Sequence, residues 1–369
     1  MANLPLENIK LVEVSTSEPA AFCACHLGDL GAEILRIELP GKVPDYPQQI
    51  WDMANRNKKS IFLNPGSGEE RKIFEKMVRW ADIFVEDQPV GSLSELGMGY
   101  DTLKEINPGL IYCSLSSYGQ GGPYRGVPGD EICAQALGGM LMLRDNTLGN
   151  IGNPHEGQPE IPDVMVAETK AALHAAVGIL AALMARRKTA RGQYIDVCLF
   201  DGVVSQRAVR PMFNLKQEVT GFQIYQTQDR KYIVTAAIEP WTWKNLVEKV
   251  GRNDLGGIPQ ASEQERRGAI SILQDIFKAK TKKEWLDIFQ DVDTELSPAY
   301  SFEEALSDAH IRSREMLIEV EGSDGNKAIQ YSTPMKLSET PGRVRYPAPK
   351  IGRDRAKVFS EFRPKERKK

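Results

Sequence analysis

In the stretch "PDVMVAETKAALHAAVGILAAL", residues 162–183, one carboxylate, Glu168, stands just ahead of a long run of small and apolar residues. A carboxylate in a first helical turn has an ordinary use, because the helix macrodipole stabilises it by about 0.3–1 kcal/mol. It also has a chemical use. As a nucleophile it attacks an activated acyl carbon and divides one hard exchange into easier steps.

Other chemistries are thinly represented. Cys23, Cys25 and His26 form a C-x-C-H cluster, but no second cluster completes a tetrahedral metal set. That segment reads as the buried face of a helix, with the thiols as small apolar packing residues. The glycines of "GQGGPYRG" (119–126) follow a strand, yet Pro123 and the spacing fit neither G-x-G-x-x-G nor a P-loop, which leaves a tight turn. The histidines, His26, His155, His174 and His310, are few for acid–base work, and His174 reads as a core or interface residue of the Ala-rich helix. There is no G-x-S-x-G elbow. Carboxylate chemistry remains.

Net charge is −3, from 47 basic and 50 acidic residues interspersed along 369 positions. That balance carries no footprint for nucleic acid or a membrane surface. The basic "RPKERKK" (363–369) reads as a solvated tail. No run of about 18 uninterrupted apolar residues suggests a membrane span. "MANLPLENIK" lacks the basic-then-apolar pattern of a secretory signal. Cys23, Cys25, Cys113, Cys133 and Cys198 are scattered and odd in number, which fits reduced thiols in a cytoplasmic protein.

The elements that must position Glu168 alternate. "IKLVEVS" (9–15) predicts a strand, "AFCACHLGDLGA" (21–32) a helix ending at glycine, and "EILRIEL" (33–39) a second strand. "GSGEERKIFEKMVRWA" (66–81) is an amphipathic helix, "DIFVED" (82–87) a strand, "YDTLKEIN" (100–107) a short helix and "LIYCSLSSYG" (110–119) a strand. This alternation argues for a parallel sheet wrapped by helices. Residues 146–162, rich in Gly, Pro, Asn and Glu, read as a loop. The Ala-rich helix then runs over about 167–187 into the basic, glycine-ended "RRKTARGQ", and "YIDVCLFDG" (194–202) opens another strand and helix. From about 220 a second unit begins, with a hairpin around Gln228-Asp229 and helices at 241–251, 263–280, 281–291 and 302–316. The chain from 330 onward is loop-rich with one late helix.

These residues carry a resemblance. "LENIKLVEVSTSEPAAFCACHLGDLGAEILRIELPG" (6–41) is similar to the opening of class III (CaiB/BaiF-type) CoA-transferases, which read as a strand, an "LAGPF"-like turn and "LADLGAEVIKIERPG". The similarity continues through "NRNKKSIFLN", "ADIFVEDQPVGSLSELGMGYDTLKEINPGLIYCSLSSYGQGGPY", "AQALGGM" and "AAVGILAALMARRKTARGQYIDVCLFDG". In the smaller unit it covers "YQTQDRKYIVTAAIEPWTWKNLVEKVGRNDL", "EWLDIF" and "FEEALSDAHIRSREMLIEVE". The resemblance implies an α/β fold in which a large Rossmann-like domain, with a parallel sheet built from both chain ends (1–215 and 326–369), holds an inserted α+β domain (216–325). It also implies an interlocked-ring dimer, acyl-CoA and carboxylic acid substrates, and no resident cofactor or metal.

The family's aspartate stands ten residues before the glycine of its "GILAAL" motif. Counting back from Gly178 lands on Glu168, with Ala167 matching the usual "AD" pair, whereas Asp163 would need a five-residue insertion. The carboxylate would form a mixed anhydride and then an enzyme–CoA thioester, with helix N-terminal N–H groups stabilising the oxyanions. The resemblance places coenzyme A against Glu18 and Ala20 in the first turn, Arg56, Lys58 and Lys59 in the "NRGKRS"-like stretch, Asp87 and Gln88, and Tyr118.

Several of these positions depart from the pattern. Glu18 replaces a common Leu or Gln, Asp87 and Gln88 replace Asn and Phe, and Leu39 replaces an arginine suited to phosphate. Glu168 is one methylene longer than Asp, and a misplacement of about 1 Å can cost on the order of 10²-fold in rate. Two readings follow. The chain is the less active or non-catalytic subunit of a heteromer resembling benzylsuccinate CoA-transferases of aromatic degradation, with a partner chain carrying the Asp. Alternatively it is self-sufficient through Glu168. The racemase branch needs an Asp–His pair, and "PGDEICAQ" (128–135) has no histidine. The loop 140–165 and the face from Ala237 to Trp243 are expected to shape the acyl pocket, with Trp241 and Trp243 chiefly packing residues.

Overall fold

The computed structural model describes residues 4–42, 44, 47–141, 143–144, 158–159, 161–162, 164–207, 220–321 and 327–363. Most of the expected loop 146–162, with His155 and Asp163, and the tail beyond 363 lie outside these residues. The chain divides into two compact units, residues 1–142 with 160–209 and 314–369, and residues 143–159 with 210–313.

The first unit begins with β1 (Lys10–Val14), α1 (Glu18–Asp29), β2 (Glu33–Glu38), α2 (Gln48–Ala54), β3 (Lys58–Phe62), α3 (Gly68–Trp80) and β4 (Ile83–Glu86). It continues with α4 (Ser92–Glu95), α5 (Tyr100–Ile106), β5 (Ile111–Ser116) and α6 (Glu131–Leu137). The short pair β6 (Leu143–Arg144) and β7 (Gln158–Pro159) belongs to the second unit, and α7 (Val166–Thr189), β8 (Tyr194–Cys198) and α8 (Leu199–Arg207) return to the first. The sheet runs β3-β2-β1-β4-β5-β8, all parallel. Its central strands are buried on both faces and apolar apart from Glu13 and Glu86, as suits a doubly covered parallel sheet. Leu11, Ile34, Ile83 and Ile111 pack under α1 and α7, while Val12, Leu35, Ile61 and Phe84 pack under α3, α5 and the C-terminal helix.

Helices α1 and α7 meet along small residues, Ala20 and Ala24 on one and Ala167, Ala171 and Ala175 on the other, all buried. Both start at the C-terminal edge of the sheet, so their N-termini lie side by side. The opposite face of α7 presents Leu173, His174, Val177 and Met184 to the outside, so His174 is no core residue of this chain. Roughly 100° of rotation per residue puts it away from the alanine stripe. By length and composition α7 passes for a membrane span, but its alanine face is part of the core.

The expectation that both chain ends build the sheet needs correcting, since among the described residues its six strands all come from residues 10–198. The C-terminal segment contributes β12 (Leu317–Glu321), β13 (Lys327–Tyr331) and α14 (Arg355–Phe362), and otherwise runs as an irregular strap. It covers the outer edge at β3, where Asp354 Oδ2 accepts from Ser60 N (3.0 Å) and Asp354 N donates to Ser60 O (2.9 Å). An edge covered in this way cannot pair with a foreign strand. The expected boundary at 325 falls inside the β12–β13 hairpin, which stays with the first unit because Arg56 Nη1 holds the Tyr331 carbonyl (2.7 Å).

The second unit holds β9 (Phe222–Gln226), β10 (Tyr232–Ala236), α9 (Pro240–Lys249), α10 (Glu263–Phe277), α11 (Lys282–Phe289), β11 (Leu296–Ala299), α12 (Phe302–Leu306) and α13 (Ala309–Ser313). The predicted hairpin forms, and β11 extends it into an antiparallel sheet against a core of Tyr225, Trp243, Phe277 and Trp285. Ser262–Glu265 and Thr281–Glu284 capping boxes start α10 and α11. The predicted helix 302–316 is two short ones, because the Asp308 carboxylate takes the His310 N–H (2.7 Å) and starts a new turn. Trp243 is buried, with Nε1 donating to Leu255 O (2.9 Å), as its packing role requires, whereas Trp241 is exposed.

Asn57 is the pin of the strap. It sits at φ +62°, donates to Asp29 Oδ1 (2.8 Å) and Arg343 O (3.0 Å), and accepts from the N–H groups of Arg345 (2.6 Å) and Tyr346 (3.0 Å). Asn57→Ala is expected to lower unfolding stability by about 2–4 kcal/mol, through lost hydrogen bonds and a left-handed backbone. Asn57→Gly should recover only the backbone share, about 1 kcal/mol. Urea unfolding measures both, and a negligible loss in the Ala variant would show that the strap is not integral to the fold.

Candidate active site

The strand order reverses beside β1, between β2 on one side and β4 on the other, and in open α/β sheets ligands bind at such a switch point, outside the C-terminal strand ends. Here Asp87, just past β4, reaches across to the start of α1. Its carboxylate accepts from Thr16 N (2.8 Å) and Ser17 N (2.6 Å), and from the Ser17 hydroxyl (2.5 Å). Ser17 occupies the N-cap position without capping through its own side chain, so Asp87 supplies the cap. Burial pushes the Asp87 carboxyl up, against these hydrogen bonds, which pull it down. Gln88 is buried and tied in place, its Oε1 accepting from Lys42 Nζ (3.1 Å) and its Nε2 donating to Asp87 Oδ1 (3.0 Å).

Glu168 lies in the first turn of α7, half-buried. Its pKa is pushed up to about 7, first by burial, then by the negative charges of Glu18, Glu131 and Asp130. Glu18, at the first turn of α1, is itself raised by burial. Met165 gives α7 no side-chain cap. Instead the buried Glu131 accepts from Ala167 N (2.8 Å) and Glu168 N (2.8 Å), and Gln135 Nε2 donates to it (2.5 Å). This overturns one expectation. The helix N–H groups that were to hold an oxyanion already hold Glu131. Neighbouring Asp130 caps α6 through Cys133 N (3.3 Å).

The structure brings Glu18, Asp87, Gln88 and Glu168 to this edge and sends the basic residues elsewhere. Arg56 forms a two-point pair with Asp29 at the C-terminal end of α1 (3.1 and 2.6 Å), and Lys59 pairs with Glu33 at the start of β2 (2.7 Å). Both therefore sit towards the opposite edge of the sheet. Lys58 is fully buried beneath α1, with Nζ 2.8 Å from Glu13 Oε2, 2.8 Å from Ala21 O and 3.0 Å from Asn55 Oδ1. Ala20 is buried in the contact with α7. Tyr118 packs on Tyr124 and Phe200 beside α6, its hydroxyl near Cys133. Cys23 and Cys25 are buried packing residues of α1, as expected.

The sequence model of CoA-transferase family III matches residues 6–355. The chain belongs to CoA-transferase family III. Among its relatives, succinyl-CoA–L-malate CoA-transferase beta subunit of Chloroflexus aurantiacus is 30% identical, over 97% of this chain and 94% of the relative. Human succinyl-CoA:glutarate CoA-transferase is 26% identical, over 97% of this chain and 86% of its own. In fold, a CaiB/BaiF family protein from Brucella suis superposes with a TM-score of 0.78 at 24% identity, covering 98% of this chain and all (100%) of its own. Rv3272 from Mycobacterium tuberculosis reaches a TM-score of 0.82, covering 96% and 99%.

In this CoA-transferase the buried basic residues form structure rather than a phosphate site. Arg36 contacts Glu13 and Glu38, stacks over Trp51 and shares Glu13 with Lys58, all beneath α1 and α2. Burial alone would raise Glu13, but Lys58 and Arg36 outweigh it and hold the carboxyl below its ordinary range. Lys58→Ala leaves Glu13 short of a partner and is expected to cost about 3–5 kcal/mol of stability in chemical denaturation. A Lys58→Ala protein that keeps its stability and instead loses coenzyme A affinity would restore the phosphate reading.

Spacing alone did not bring forward Glu131, Asp130 or Lys42. The signal for the first two was an acidic pair opening a short helix, "GDEICAQ". A further buried carboxyl, Glu86, lines a cavity of about 410 Å³ with Gln88, Tyr100, Tyr112, Gln120 and Tyr194. Burial pushes it up to about 7, with Ser114 and Gln88 opposing. A raised carboxyl stabilises the fold in full below its unfolded value of 4.5, and that stability is lost as pH rises through about 7. The difference amounts to about 3 kcal/mol. Glu86→Gln should therefore raise the melting temperature at pH 8 and not at pH 5, and equal shifts at both would contradict the assignment.

Proposed function

We propose that this protein exchanges coenzyme A between an acyl-CoA thioester and a free carboxylic acid, working as the less active subunit beside a related chain that supplies an aspartate. The observation that carries this reading is Glu131 seated on the N–H groups of Ala167 and Glu168. With those donors engaged, the developing oxyanion at position 168 loses the stabilisation that acyl transfer depends on most. Glu168 is also longer than the family's aspartate and is only partly ionised near neutral pH. The exposed stripe of Leu173, Val177 and Met184 on α7 suits burial by a related subunit. The name of the Chloroflexus relative, a beta subunit, points the same way.

A second reading is favoured by the placement of Glu168 itself, at the switch-point edge with an ionisation near neutrality. In that reading the ionised carboxylate attacks the thioester carbonyl, giving a mixed anhydride and CoA thiolate. The thiolate then attacks the glutamyl carbonyl, releasing the first acid and forming a glutamyl–CoA thioester. The incoming carboxylate attacks that thioester, and the returning thiolate delivers the new acyl-CoA and frees Glu168.

Incubation with acyl-CoA and hydroxylamine, followed by peptide mass spectrometry, separates the two. We expect no hydroxamate at Glu168 in the protein alone, and transfer activity once an Asp-bearing family member is added. Hydroxamate at Glu168 in the isolated protein, growing as pH rises from 6 to 8 with a midpoint of about 7 and absent in Glu168→Gln, would favour the self-sufficient enzyme.

A further inference from the structure

The starts of three helices, α1, α6 and α7, converge at the candidate site, and each brings carboxylates: Glu18, Asp130 with Glu131, and Glu168. Glu131 is buried and bonded to the α7 backbone, so its charge is fixed in place. Asp130 is held as the α6 cap. Glu18 is set beside α7 by the alanine contact. Among the described residues the charges acting on Glu168 are all negative. Arg56, Lys58 and Lys59, the cations that could have offset them, are paired with Asp29, Glu13 and Glu33.

We propose that Glu18 and Asp130 set the acyl specificity of this site: it accepts acyl groups of monocarboxylic acids and rejects those that carry a second carboxylate. The inference rests on the reading that Glu168 faces the thioester. An acyl carbon within reach of Glu168 puts its chain among Glu18, Asp130 and Glu131, where a distal carboxylate meets like charge. Like-charge contacts of this kind cost on the order of tenfold or more in affinity. The inference sets this chain apart from relatives named for succinyl, malate and glutarate transfer.

Butyryl-CoA and succinyl-CoA have acyl chains of equal length and differ by a methyl group against a carboxylate, which makes them the natural probes. Calorimetric titration of the full-length protein with each, and with coenzyme A itself, is the test. Butyryl-CoA should bind at least about tenfold more tightly than succinyl-CoA, and Glu18→Gln with Asp130→Asn should narrow the ratio to about threefold or less by improving succinyl-CoA. Each single substitution should narrow it partway. Equal affinities in the natural protein, or a ratio unmoved in the double variant, would overturn the specificity inference while leaving the site intact. Failure of coenzyme A and both thioesters to bind would overturn the site and the inference together.

Discussion

The close approach of α1 and α7 along their alanine faces is the constraint on which the site depends. Small side chains let two helix backbones come near, and because both helices descend from the C-terminal edge of a parallel sheet, that contact sets two N-termini side by side. Each N-terminus carries unpaired N–H groups and a partial positive charge. The chain answers both with carboxylates from other segments, Asp87 for α1 and Glu131 for α7, rather than with the helices' own flanking residues. The caps therefore do two things at once. They close the helix ends, and they join β4 and α6 to the helices across the switch point.

Much of the fold could be read from the sequence because its determinants are local. Apolar strands between amphipathic helices gave β1, β2, β4, β5 and β8 close to their observed bounds. β3 escaped that reading because "KKSIF" places Lys58 and Ser60 towards a buried ion network, so its apolar period is broken by charges satisfied only in three dimensions. The strap from 330 onward escaped for the same reason: its order comes from hydrogen bonds to Asn57, Asp29 and Ser60, nearly three hundred positions away in sequence. Nothing in its own residues announces them.

Position 168 is reached from the sequence by register with a motif, and the structure sets Glu168, Glu18, Asp87 and Gln88 at one edge of the sheet. The basic stretch misled, because a run such as "NRNKKS" looks alike whether its charges face solvent phosphate or buried carboxylates. Burial decided it: Lys58 and Glu13 have no exposed side-chain surface, and a charge so placed is held by its partner. Glu131 was overlooked because capping across helices leaves no spacing signature. Its partners are more than thirty residues downstream.

Convergence of carboxylates on one point costs electrostatic energy, and the chain has two ways to limit it. Helix N-termini offset part of each charge, and partial protonation of Glu168 near neutrality lowers another. The second remedy ties electrostatics to chemistry, since the proton that relieves the repulsion is the one a nucleophile must lose. Glu131 is already engaged by the α7 N–H groups of Ala167 and Glu168. The burden therefore falls on position 168. Any attack by Glu168 is thereby coupled to pH, because its carboxylate gains reactivity only as that proton leaves.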